Sequence, residues 1–177
     1  MRHECYYCHT RTVEKLIEKF KPDDRIAEEF VFAVNRLLAE NRELENPYLA
    51  TLIHRLARKM INHDDLYQDE KFQANEILLD QYESWKSFIY SGSDPIHVAA
   101  KMAVAGNIID YGAHSAPRDI REEILRIVER NFKIDESEHL YRAIQKAESI
   151  LYLGDNAGEI VFDRLFLEEM QHPDVTY

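Results

Sequence analysis

The stretch that most limits what this chain can fold into lies at residues 149–177. Ser149-Ile150-Leu151-Tyr152-Leu153 is a short apolar run, β-branched and aromatic, with the look of a buried strand. Gly154-Asp155-Asn156-Ala157-Gly158 has the composition of a turn. A helical pattern follows through Ile160, Val161, Leu165 and Leu167, Pro173 ends it, and Val175-Thr176-Tyr177 begins a second strand. Strand, turn, helix and strand open a parallel βαβ unit. A parallel sheet needs several strands, covered faces and paired backbone groups, which one strand and a stub do not supply. The expectation is an N-terminal portion of a longer protein. Pairing of the strand with another chain, hence self-association, is a second reading, and frayed ends of an all-helical domain a third.

Everything before residue 148 reads as helix after helix. Residues 10–20 form a first candidate. A second opens at Pro22-Asp23-Asp24, with proline in the first turn and carboxylates at the positive end of the dipole, and carries Ile26, Phe30, Val34, Leu37 and Leu38 on one face. Asn46-Pro47 reads as N-cap and first-turn proline of a third, with Leu49, Leu52, Ile53, Leu56 and Met60 as its stripe. One long helix is expected over residues 69–90, with Leu78, Tyr82, Trp85 and Ile89 as core, stopped by Ser91-Gly92. The next, from Asp94-Pro95 to Asp110, is apolar nearly all round and is expected to be buried on most sides. Two shorter amphipathic helices cover residues 117–130 and 138–147. The fold class is therefore mainly α with the start of an α/β domain: a helical region over 1–147, then the beginning of a parallel sheet over 148–177.

Composition limits the partners. The 177 residues carry 22 Lys+Arg and 33 Asp+Glu, a formal net charge of −11, which repels nucleic acid and anionic membranes. The longest apolar run, 96–109, is broken by His97, Lys101 and Asn107, and the first residues lack the apolar core of a secretory signal, so a cytoplasmic protein is expected. Cys5 and Cys8 imply no disulfide framework. With His3 and His9 beside them they are at most half of a structural zinc site, and a redox pair or idle thiols are the other readings.

The turn at 154–158 is where chemistry can sit. It places an acid and an amide at the carboxyl end of a strand, where open α/β sheets bind ligands. The helix behind it offers free N–H groups and a positive dipole end, suited to phosphate. Asp155 and Asn156 bear hard oxygen donors, suited to Mg²⁺ or Mn²⁺. A divalent ion beside a phosphate cradle is the equipment of phosphoryl hydrolysis. By spacing alone a plain turn accounts for these residues equally well. The segment is not a phosphate-binding Walker loop, not a two-aspartate phosphatase signature and not a dinucleotide fingerprint.

Leu-Gly-Asp-Asn-Ala-Gly-Glu-Ile-Val-Phe-Asp at 153–163 resembles the signature of the metal-dependent damage-control phosphatase family (ARMT-like, formerly catalogued as a domain of unknown function). Ala105-Gly106-Asn107-Ile108-Ile109-Asp110-Tyr111-Gly112 is similar to that family's buried helix, and Cys5-Tyr6-Tyr7-Cys8 to the Cys-x-x-Cys of one subgroup. The resemblance implies a helical region joined to a Rossmann-like sheet. It implies a divalent ion (Mn, Co, Ni or Mg) held by Asp155 and Asn156, with a third acidic ligand from a later strand end. It implies hydrolysis of small phosphate esters, sugar phosphates or damaged phosphometabolites. Glu159 is then expected near the substrate or water, with Asp155 in the reaction, and Gly158 among the turn amides that receive phosphate. Asn107 and Asp110, three apart and so on one helix face, would point into the same cleft. A carboxyl methyltransferase, or a non-catalytic helical module that binds a partner protein, are the rival functions.

Overall fold

The computed structural model describes residues 2–107 and 120–177. Most of these residues are helical, and they fall into two compact units, Met1–Leu66 and Tyr67–Tyr177. The division lies inside the stretch expected to be one helical region, whereas the change of character near Ser149 lies within the second unit.

The first unit holds α1 (His3–Phe20), α2 (Asp24–Glu40) and α3 (Asn46–Ile61). α1 starts earlier than residue 10 because His9, Val13 and Leu16 carry one buried stripe through it. Asp23 caps α2 by accepting the Ile26 N–H at 2.9 Å. Phe30, Val34 and Leu38 of α2 meet Leu49, Ile53 and Ala57 of α3 in the same buried set. The expected cap at Asn46 is corrected: Asn46 is already helical, and Glu45 occupies the cap position without a side-chain bond. Cys5 is half-buried and Cys8 exposed, and both are free thiols.

The second unit holds α4 (Gln68–Leu79), α5 (Tyr82–Ser91), α6 (Pro95–Gly106), α7 (Ile120–Val128), α8 (Ser137–Lys146), β1 (Ile150–Leu151), α9 (Glu159–Met170) and β2 (Val175–Thr176). The single helix expected over 69–90 is two. The Gln81 N–H bonds the Leu78 carbonyl three residues back at 3.2 Å, closing a tight turn before Trp85 resumes the α pattern. No glycine or proline marks that break. The core stripe survives it, with Leu78, Trp85 and Ile89 buried.

α6 and α9 form the centre of this unit. Ala99, Met102, Ala103 and Ala105 of α6 are buried together with Val161, Phe162, Leu165 and Phe166 of α9. Gly106 makes the close approach possible: a Cβ there would lie 2.9 Å from Phe162 Cδ2 and 3.1 Å from the Glu159 Cα. α6 is less enclosed than its composition implied, because Val104 remains 58% exposed and lines an open cleft.

β1 and β2 pair in parallel, Ile150 with Val175 and Leu151 with Thr176, and α9 connects them as the sequence pattern required. The strand is not buried on both faces, however. Ile150 and Tyr152 face the core, while Leu151 is 69% and Leu153 81% exposed. Side chains alternate along a strand, and among the described residues the helices cover only one face of this pair. No helix of the described residues is long and apolar enough to cross a membrane.

Candidate active site

The segment between β1 and α9 is held by bonds from three directions. Gly158 caps α9 with φ 87° and ψ −55°, a conformation open to glycine and strained for any residue with a Cβ. Its N–H donates to Asn75 Oδ1 of α4 at 2.7 Å. From the first turn of α9, Glu159 reaches back so that its Oε2 accepts the Asn156 N–H at 3.3 Å. That contact fastens the turn to the helix it precedes, much as a capping box does.

Asn107, at the end of α6, joins the two acids. Its Nδ2 donates to Asp155 Oδ2 at 3.3 Å and to Glu159 Oε2 at 3.0 Å. Asn156 Nδ2 also donates to Asp155 Oδ2, at 3.2 Å. Asp155, Asn156, Glu159 and Asn107 thus converge as one hydrogen-bonded group. Asp110 lies outside the described residues. Gly158 is in the same turn, but its N–H, expected to face phosphate, is occupied by Asn75.

Beside this group opens a cleft of about 520 Å³, lined among the described residues by Ala103, Val104, Asn107, Ile127, Tyr152, Glu159 and Asp163. Glu159 loses hydration there, and burial chiefly pushes its carboxyl above the usual carboxylate range. The negative charges of Asp163 and Asp155 push the same way, and the hydrogen bonds from Asn156 and Asn107 oppose them. Asp163 is 1% exposed, and its carboxyl is likewise pushed up by burial. The Tyr152 hydroxyl donates to its Oδ1 at 2.8 Å and the Tyr177 hydroxyl to its Oδ2 at 3.0 Å. Burial and that carboxylate raise the phenols in turn, Tyr177 to about 12.

The donors suit a hard divalent cation. They are carboxylate and amide groups without thiol or imidazole, and the Asn107 amide nitrogen stands where it serves both acids at once. Among the described residues no three His, Cys, Asp or Glu side chains cluster tightly enough to hold a metal.

Sequence reading did not assign Asn75, Tyr152, Asp163 or Tyr177. Asp163 could have been found, because it lies four residues after Glu159 and so on the same helix face. Asn75 and Tyr177 reach the turn from distant parts of the chain, and no local pattern announces them.

Comparison with known proteins places nearly the whole chain in one family. The sequence model of the damage-control phosphatase ARMT1-like domain matches residues 1–176. A damage-control phosphatase of Pyrococcus horikoshii is 28% identical over 173 residues, covering 97% of this chain and 59% of the relative. A second protein carrying that name, from Archaeoglobus fulgidus, is 31% identical over 141 residues, covering 77% of this chain and 48% of its own length. The crystal structure of a DUF89 family protein from Pyrococcus horikoshii superposes with a TM-score of 0.78 at 25% identity, over 99% of this chain and 62% of that one. The chain therefore spans about half to three-fifths of the length of such relatives.

Proposed function

The chain belongs to the damage-control phosphatase ARMT1-like domain family, and on that premise we propose that it carries the metal-holding part of a divalent-metal-dependent phosphohydrolase for small phosphate esters. The observation behind this reading is the convergence of Asp155, Asn156, Glu159 and Asn107 at the end of β1, before the N-terminus of α9. Phosphorylated sugars or damaged phosphometabolites are the substrate class in this reading. The parallel β1–α9–β2 unit is then the beginning of a Rossmann-like sheet.

Asp155 and Asn156 would hold the cation, with Mn²⁺, Co²⁺, Ni²⁺ or Mg²⁺ as candidates. When bound, such an ion supplies Lewis acidity toward a phosphoryl oxygen. The protein supplies the rest. Asn107 keeps the Asp155 and Glu159 carboxylates turned toward one point. Glu159, desolvated enough to hold a proton more readily than an exposed acid, orients the attacking water or a substrate hydroxyl. The positive end of α9 faces the remaining phosphate charge. Asn75 and Glu159 already hold the Gly158 and Asn156 N–H groups, so these two set the turn's shape rather than contact phosphate.

The test is hydrolysis of p-nitrophenyl phosphate by the chain with added Mn²⁺, Co²⁺ or Ni²⁺. Metal-dependent turnover is expected, and Asp155→Ala should abolish it while leaving the thermal unfolding curve nearly unchanged. Turnover that survives both chelation and Asp155→Ala refutes the reading.

A further inference from the structure

The buried aspartate of α9 has no assigned part in this site, yet it joins the chain segments around it. Burying a carboxylate is unfavourable unless its oxygens are bonded. Asp163 meets that condition with two phenols, one on each oxygen. Tyr152 directly follows β1, and its N–H bonds the Thr176 carbonyl at 2.8 Å. Tyr177 directly follows β2. The two rings stack, with centroids 5.5 Å apart and planes 15° from parallel. One acid on α9 therefore ties together the carboxyl ends of both strands.

A second observation carries this arrangement to the site. The Tyr177 side chain lies across Gly154: a Cβ on that glycine would overlap the Tyr177 hydroxyl and come within 2.7 Å of its Cζ. Gly154 is the residue before Asp155. The contacts thus run from Asp163 to Tyr177, from Tyr177 to the Gly154 backbone, and from there to the carboxylate that faces Asn107. A Cβ at that position would displace the phenol.

We propose that Asp163, Tyr152 and Tyr177 form a brace that sets the direction of Asp155, and that they are positioning residues for cation binding. The inference rests on the reading of Asp155 as a metal ligand. In this role the phenols act at a distance, as partners outside the coordination shell do elsewhere, and losing one weakens metal affinity by about 10-fold to 100-fold.

The experiment is a Mn²⁺ titration of the full chain, with free Mn²⁺ followed by electron paramagnetic resonance. The variants are Asp155→Ala, Tyr177→Phe, Tyr152→Phe, Gly154→Ala and Tyr82→Phe. Tyr82→Phe is the control for a merely structural role, because its hydroxyl makes a comparable bond to a carboxylate, Glu168 Oε1 at 2.7 Å, away from the turn. Thermal unfolding of each variant is recorded beside the titration. The brace predicts that Tyr177→Phe, Tyr152→Phe and Gly154→Ala each weaken Mn²⁺ binding by about 10-fold or more, while Tyr82→Phe binds as the wild type does. Gly154→Ala and Tyr152→Phe keep the question decidable if Tyr177→Phe does not fold. Wild-type affinity in the folded Tyr and Gly variants overturns the brace and leaves the metal reading standing. A wild-type chain that binds no Mn²⁺, or an Asp155→Ala chain that binds it equally well, overturns both.

Discussion

Gly106→Ala tests how tightly the site depends on helix packing. The added methyl would stand 2.9 Å from Phe162 Cδ2 and 3.1 Å from the Glu159 Cα. The first of these contacts is a buried ring already packed against Trp85 at 5.4 Å between centroids, and the second is backbone, so neither can swing aside freely. Inserting a methyl into such a space costs about 1–3 kcal/mol. Alanine recovers up to about 1 kcal/mol over glycine in a helix, and less at a helix end such as this. The net is a destabilisation of about 1–2 kcal/mol. For a chain of this size that lowers Tm by roughly 2–8 °C. Differential scanning calorimetry of the two proteins at the same pH gives the number. Because α9 must move outward, Glu159 should also draw away from Asn107, and Mn²⁺ affinity should fall. An unchanged or raised Tm would refute the claim that α6 and α9 are in contact at this residue.

Other substitutions probe the turn and the buried acid. Gly158→Ala forces a side chain into φ 87°, ψ −55° and should destabilise by about 1–3 kcal/mol, read as a lower urea midpoint at constant slope. Asp163 has a folded pKa raised above its ordinary value. Its contribution to stability is full below about pH 4 and is lost as pH rises through the folded value. Among the described residues, Tyr152 and Tyr177 bond it and the Glu159 carboxylate lies near it. Asp163→Asn should therefore remove part of the fall in stability as pH rises above about 4. Parallel urea titrations of both proteins across that range check this, and curves that stay parallel contradict it.

Much of this architecture was legible because it depends on local period. The stripes Phe30–Val34–Leu38 and Leu49–Ile53 are helical spacing expressed directly, and a turn between a short apolar run and a helix is a local signal; Ala57, buried in line with the second stripe, was not read as part of it. The break at Asp80–Gln81 was not legible, because it is made by a tightened turn rather than by a residue that cannot be helical. The exposure of Leu151 and Leu153 was missed for a different reason: an apolar run says what a strand would prefer, not which faces the neighbouring helices cover. At the site, Asp155 and Asn156 could be grouped because they are adjacent in the turn, whereas Glu159 was singled out through a family resemblance. Asn107 entered only through a family resemblance, and the structure then joined it to both acids. Asn75 and Tyr177 come from far along the chain, where spacing carries no information about contact.

The account stands on a cation held by Asp155 and Asn156, and anomalous diffraction from crystals of the chain soaked in Mn²⁺ tests that most directly. The predicted result is a manganese peak within coordinating distance of the Asp155 carboxylate and the Asn156 side-chain oxygen, absent from Asp155→Ala crystals. A peak bound elsewhere, or the same peak in Asp155→Ala, would contradict it.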